Sequence, residues 1–166
     1  VDYWIKCGGG PRTPWFVSWE IHVSFLDKGV LSLQVTRDRF TNANGTPLRS
    51  FNVHFGLPDL RQLTRDSFFV AGYEAYLDSI GERAFRSGVR LTEDADLASA
   101  GYTEFGNGQF SLNSNFEILD SGLQFMFNAY EIASGAYGWS FVHLPWDQLR
   151  PIIRPGGPLE WVLREE

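Results

Sequence analysis

Apolar residues fall on alternate positions along the first third of the chain. Val17, Trp19, Ile21, Val23 and Phe25 alternate with Ser18, Glu20, His22 and Ser24, which predicts a β-strand with one buried face. Asp27-Lys28-Gly29 supplies a tight turn, and the return strand carries Leu31, Leu33 and Val35. After a loop containing Asn42, Ala43, Asn44, Gly45 and Pro47, a third strand places Phe51, Val53 and Phe55 on one face and Ser50, Asn52 and His54 on the other. Three consecutive strands of this kind predict an antiparallel meander. The period then lengthens: Phe69, Tyr73, Tyr76, Leu77, Ile80, Ala84 and Phe85 recur at spacings of three and four. A main helix is expected from a cap at Asp66 or Ser67 to about Gly88, after a turn-like lead-in over 57–63. Thr92 is placed to cap a second, short helix over 92–100.

The last third reads as a hairpin followed by one more strand. Phe116 and Ile118 precede an Asp120-Ser121-Gly122 turn, and Leu123, Phe125 and Phe127 follow it. These five side chains are expected in one buried layer against the helix of residues 73–85, since a slip of one residue would turn all of them toward water. A strand over 139–144 and a helix opening at Pro145-Trp146 complete the order. Strands, helix, strands and short helix predict an α+β fold: an antiparallel sheet with one main helix and one or two short helices packed on one face. The chain is read as one domain over 1–166, with the meander and main helix at about 15–88 and the hairpin, strand and short helix at about 110–153. Pro155-Gly156-Gly157-Pro158 is expected only to set off a tail carrying Trp161.

The run Phe116 to Ala133, with Tyr130-Glu131-Ile132-Ala133 at its end and Pro145-Trp146-Asp147-Gln148-Leu149 beyond it, resembles the C-terminal half of a bacterial extracytoplasmic domain family. That family includes the outer domain of the RsiV anti-sigma factor, a lysozyme receptor, and the accessory region of the PdaC peptidoglycan deacetylase. Ser32-Leu33, the loop at 42–45, Phe51 to Phe55, Leu57-Pro58-Asp59-Leu60 and the helix of residues 73–85 occupy the family's first-half places in order, with few matching letters. The chain departs from many relatives in having Thr41-Asn42-Ala43-Asn44-Gly45 where they carry Gly-Gly-Ala-His. It also has Ala129 and Ser134 where they place prolines. The resemblance implies an extracytoplasmic location, no cofactor, and a partner such as a lysozyme-like protein or peptidoglycan.

Composition narrows this further. The 166 residues are 43% hydrophobic, enough to build a sizeable core, and no apolar run is long enough to span a bilayer. A net charge of −6 argues against nucleic acid, which needs clustered Lys and Arg, and favours basic partners. Cys7 is the only cysteine, so no intrachain disulfide is possible. His22, His54 and His143 lie on three expected strands without a cysteine or carboxylate at ligand spacing, so no metal site is expected; His22 and His54 read as residues of a solvated sheet face. Glu93-Asp94-Asp96 fails the calcium-loop spacing, and Gly8-Gly9-Gly10 lacks the Lys-Ser/Thr of a phosphate loop.

No nucleophile elbow is present, and a glycosidase would need two carboxylates at a defined separation. Asp120 is explained by its turn and Glu117 by its solvent-facing phase. Glu131 is best read as holding loop backbone amides, with Tyr130 packed beside it. No catalytic residue is therefore assigned. Most of Trp15, Trp19, Phe25, Phe51, Phe55, Phe125 and Phe127 fall on apolar strand phases and are expected in the core, whereas Tyr137, Trp139 and Trp146 flank a Gly-rich connection where an aromatic can anchor a partner. The candidate binding residues are Asn42, Asn44, Tyr130, Glu131, Tyr137 and Trp139. The expected function is a non-catalytic extracytoplasmic binding domain, with an accessory module of a cell-envelope polysaccharide-modifying enzyme as the alternative.

Overall fold

The computed structural model of the chain describes residues 7–8, 16–40, 46–103, 105 and 109–164. The meander forms as expected and gains a short strand at each edge. β1 (Cys7–Gly8), β2 (Phe16–Asp27), β3 (Val30–Phe40), β4 (Thr46–Gly56) and β5 (Arg61–Leu63) lie side by side in chain order, each antiparallel to the next. The C-terminal strands make a separate antiparallel sheet of β6 (Phe116–Leu119), β7 (Gly122–Phe127) and β8 (Ser140–Pro145). The α+β class holds, with two sheets where the strand pattern alone suggests one.

The hairpin register is the one its pattern demands. Phe116 pairs with Phe125 and Ile118 with Leu123, and Phe116, Ile118, Leu123, Phe125 and Phe127 are all buried. A side chain at Gly122 would strike the Leu144 carbonyl of β8, so the turn needs glycine there. The main helix is split. α1 (Arg65–Phe68) is capped by Thr64, whose N–H donates to Ser67 Oγ at 3.1 Å, with Asp66 in the first turn where the helix dipole favours a carboxylate. Phe69 then bridges to Ile153, and Gly72 turns at φ 78° before α2 (Glu74–Gly88) begins. α2 buries Leu77, Ile80 and Phe85 and lies against β8; Gly81 lets Leu112 and Phe110 close on its backbone.

Residues 92–100 form turns rather than the expected helix. Arg86 draws the Thr92 and Ala95 carbonyls to itself at 3.1 and 2.8 Å, so these acceptors serve a neighbouring element instead of a helical ladder. α3 (Trp146–Leu149) opens where expected. The segment after Pro155 belongs to the core: Leu159 and Val162 are buried, and in α4 (Trp161–Arg164) Trp161 packs edge-on against Trp146 at 5.4 Å.

The largest difference lies in which face of the meander is buried. Ser32, Ser50 and His54 point inward and are buried, while the apolar phase points away from the second sheet. Val23 is 61% exposed, Ile21 39% and Phe51 41%; on β2, β3 and β4 only Val35 of that phase is buried. Alternation gives parity, but the position of the next layer decides which parity faces inward. A bulge at Ser24 reverses the parity of β2, so Phe25 turns in toward the core while Leu26 is 62% exposed. Of the expected core aromatics, Phe125 and Phe127 are buried, Trp19, Phe25 and Phe55 are half-buried, Phe51 is exposed, and Trp15 lies outside the described residues.

Candidate functional site

The inward polar face is held together by its own side chains. Ser32 Oγ and His54 Nδ1 are 2.7 Å apart across β3 and β4, and Thr36 Oγ1 and Ser50 Oγ 3.2 Å. His54 is therefore a buried residue, contrary to the solvated position its strand phase suggests. Its ring stacks on Phe116 at 4.4 Å and meets Phe68 edge-on at 5.4 Å. Burial lowers its pKa to about 4, an effect the Phe116 backbone partly offsets. His22 and His143 stand exposed, His22 Nε2 at 3.0 Å from Glu20 Oε1 and His143 Nε2 at 3.0 Å from Ser121 Oγ.

Beyond the three residues of β5, the edge of β4 is closed by asparagine side chains instead of a strand. Asn115 Oδ1 accepts from the Asn52 N–H at 2.8 Å while Asn115 Nδ2 donates to the Ser50 carbonyl at 2.9 Å, reproducing the two-way exchange of a β-ladder. Asn128 Oδ1 accepts from the Ser50 N–H at 2.7 Å. Asn113 Nδ2 donates to the Met126 carbonyl at 2.8 Å, so one polar cluster joins the two sheets.

Glu131 organises that cluster. One carboxylate oxygen accepts from Asn113 Nδ2 at 2.6 Å, and the other accepts from Asn128 N–H at 2.8 Å and Asn128 Nδ2 at 3.1 Å. The reading of Glu131 as a holder of backbone amides is realised at Asn128. Tyr130 differs from expectation: it adopts φ 66°, uncommon for an aromatic residue, and is 61% exposed, its ring lying across Gly135. Tyr137 is exposed too, its ring 5.4 Å from Tyr102 and its hydroxyl donating to the Ala100 carbonyl at 3.3 Å. Trp139 is half-buried and meets the exposed Phe141 edge-on at 6.4 Å. Asn42 and Asn44 lie outside the described residues.

Two open clefts flank Glu131 and Asn113. One, of about 570 Å³, runs along Arg49, Ser50, Phe51 and Asn52 to Asn115 and Asn128; the other, of about 470 Å³, lies between Asp78, Phe105, Phe110 and Phe127. Neither spacing nor strand phase in the sequence singles out the four asparagines as a cluster. A signal was present, because Asn113, Asn115 and Asn128 border strands that disfavour asparagine, and Asn128 precedes Glu131 by three residues. Glu117 is half-buried, and burial raises its carboxyl pKa. Among the described residues no three His, Cys, Asp or Glu side chains converge as metal ligands, and no helix is long and apolar enough to cross a membrane.

Residues 66–147 match a family model described as a protein of unknown function, DUF3298. The fold is similar to the crystal structure of a DUF3298 family member from Bacteroides fragilis NCTC 9343, at 21% identity and a TM-score of 0.78. That match covers 92% of this chain and 59% of the other. A DUF3298 family protein from Pseudomonas aeruginosa PAO1 matches at 16% identity and a TM-score of 0.68, over 85% of this chain and 63% of the other. The chain thus spans less than two thirds of either structure's length. No curated protein matches it.

Proposed function

We propose that this chain, whose residues 66–147 match the DUF3298 family model, is a non-catalytic extracytoplasmic binding domain that recognises a basic protein of the lysozyme kind. The observation that carries the reading is the state of Glu131. Its carboxylate is occupied by three donors from Asn113 and Asn128, so it fixes a loop rather than offering a base to a substrate. That loop presents Tyr130 and Tyr137 to solvent from a rigid base, the arrangement in which aromatic anchors contribute most to recognition. The net charge of −6 suits a basic partner, and the exposed apolar face around Val23 and Phe51 adds surface of the kind that marks protein contacts.

A second reading, an accessory module that binds cell-wall glycan beside an enzyme, is favoured by the two open clefts, lined by both polar and aromatic side chains, on either side of Glu131. Titration calorimetry with a panel of lysozymes and soluble peptidoglycan fragments separates the two. Tyr130→Ala and Tyr137→Ala should each weaken lysozyme binding roughly tenfold or more if these are anchors, while leaving the melting temperature near that of the parent. Lysozyme binding unchanged in both variants would remove this loop from the interface. Binding to glycan alone would establish the accessory reading instead.

A further inference from the structure

The turn at 155–158, which the sequence reads only as the lead to a tail, forms one wall of a small polar recess of about 260 Å³. Arg61, Asp66, Ser67 and Arg154 complete its lining. Backbone bonds fix that wall. The Arg154 N–H donates to the Phe68 carbonyl at 2.9 Å and the Gly157 N–H to the Arg154 carbonyl at 3.0 Å, beside the bridge between Phe69 and Ile153. Gly156 turns at φ 71°, and a Cβ at Gly157 would stand 2.9 Å from the Arg154 carbonyl oxygen and 3.1 Å from that of Ser67. Glycine at both positions is what lets the turn close on α1.

Arg61, Asp66 and Arg154 are all exposed, so a ligand in the recess can reach them. None of the three charges is neutralised by another. Arg154 donates through Nε to the Phe69 carbonyl at 3.2 Å, which orients the guanidinium and leaves its two Nη groups. Asp66 Oδ1 accepts from the Tyr73 hydroxyl at 3.0 Å, which leaves the other carboxylate oxygen. The Arg61 backbone N–H donates to Asp59 Oδ1 at 3.3 Å, and among the described residues its side chain makes no hydrogen bond. No ion pair joins Asp66 to either arginine. Positive charge thus prevails locally in a chain whose net charge is −6, with one carboxylate set beside it.

A guanidinium fork matches a carboxylate, whose two oxygens take parallel N–H donors. A phosphate dianion would be repelled by Asp66, and a simple cation by the two arginines. A molecule carrying a carboxylate and an ammonium on one carbon meets all three charges with the opposite sign. The volume corresponds to about nine waters at roughly 30 Å³ each, room for one small amino acid. We propose that this recess, between β5, α1 and the turn before α4, binds the zwitterionic head of a free α-amino acid, its carboxylate on Arg61 and Arg154 and its ammonium on Asp66. The recess shares no residue with the tyrosine loop or with the clefts beside Glu131, so it stands or fails independently of the lysozyme reading.

The test is an NMR titration at low ionic strength with four separate probes at millimolar concentration: L-alanine, D-alanine, acetate and methylammonium. The signals followed are the Arg61 and Arg154 Nε–H groups and the Gly156 amide. The expected result is saturable shifts with at least one hand of alanine, at an affinity roughly tenfold or more above that of acetate, and none with methylammonium. Arg61→Gln, at an exposed position, should weaken alanine binding roughly tenfold, read at the two remaining signals. Asp66→Asn keeps an oxygen for the Tyr73 hydroxyl and should bring alanine down to the affinity of acetate. Unshifted hairpin amides over 116–127 confirm that each variant is folded. Absence of saturable shifts with both hands of alanine would overturn the proposal, as would alanine binding unchanged in Arg61→Gln. Acetate binding as tightly as alanine in the parent would reduce the recess to a plain anion site and overturn it too, and so would a preference for alanine that survives Asp66→Asn.

Discussion

Because burial holds His54 at about 4 against an ordinary value of 6.5, the unfolded chain takes up a proton over a range in which the folded chain does not. The imidazole's contribution is thus fully present above pH 6.5, falls as the pH drops toward 4, and levels off once both states are protonated. The linkage amounts to roughly 3 kcal/mol, a large share of the stability of an ordinary domain. Urea denaturation across that window should show the loss in the parent and a much flatter profile in His54→Phe. At Asn115 the relevant change is a single atom: Asn115→Asp replaces the donor facing the Ser50 carbonyl by an oxygen. That should cost about 1–3 kcal/mol, measurable as a lowered denaturation midpoint at neutral pH. Neither role was legible from sequence spacing alone. His54 sits on a strand phase with Ser50 and Asn52, which looks solvated until a second layer is placed over it. By contrast, Glu131 could be identified from its position at the end of an apolar run, because its partner Asn128 is only three residues away.

At the scale of elements, local signals were sufficient for strands paired through a short turn, and not over 92–100, where Arg86 takes two carbonyls that a helix would use. The β2, β3 and β4 meander and the β6–β7 hairpin follow from alternation and turn residues, and so does the burial of Phe125. Phe125→Ala should cost about 3–5 kcal/mol, seen as a large drop in thermal midpoint. The inward face of the meander could not be read in the same way, since β6 and β7 lie some sixty or more residues further along. The helix split was likewise set by a distant contact, the bridge between Phe69 and Ile153. The outward apolar face makes an unusual substitution tolerable. Val23→Lys, at a position 61% exposed, should change stability by no more than about 0.5 kcal/mol. It should also reduce binding of a hydrophobic fluorescent dye to the folded protein. A large loss of stability would mean that this face is covered in solution.

For the molecule as a whole, the net charge of −6 acts on encounter before any contact is made. If the partner is a basic lysozyme, association should slow markedly as salt rises while dissociation changes little, which surface-immobilised kinetics at two ionic strengths will show. A salt-independent association rate would argue for the glycan reading. The asparagine joint carries a different consequence, one of timing. Each sheet closes mainly through hairpins between neighbouring segments, whereas the bonds from Asn115 and Asn128 to Ser50 and Asn52 span 63 to 78 residues. Closing loops of that length is entropically slow and comes after local pairing. In a chevron experiment, Asn115→Ala should therefore accelerate unfolding and leave the refolding limb almost unmoved, because the two halves meet only after the rate-limiting barrier has been crossed.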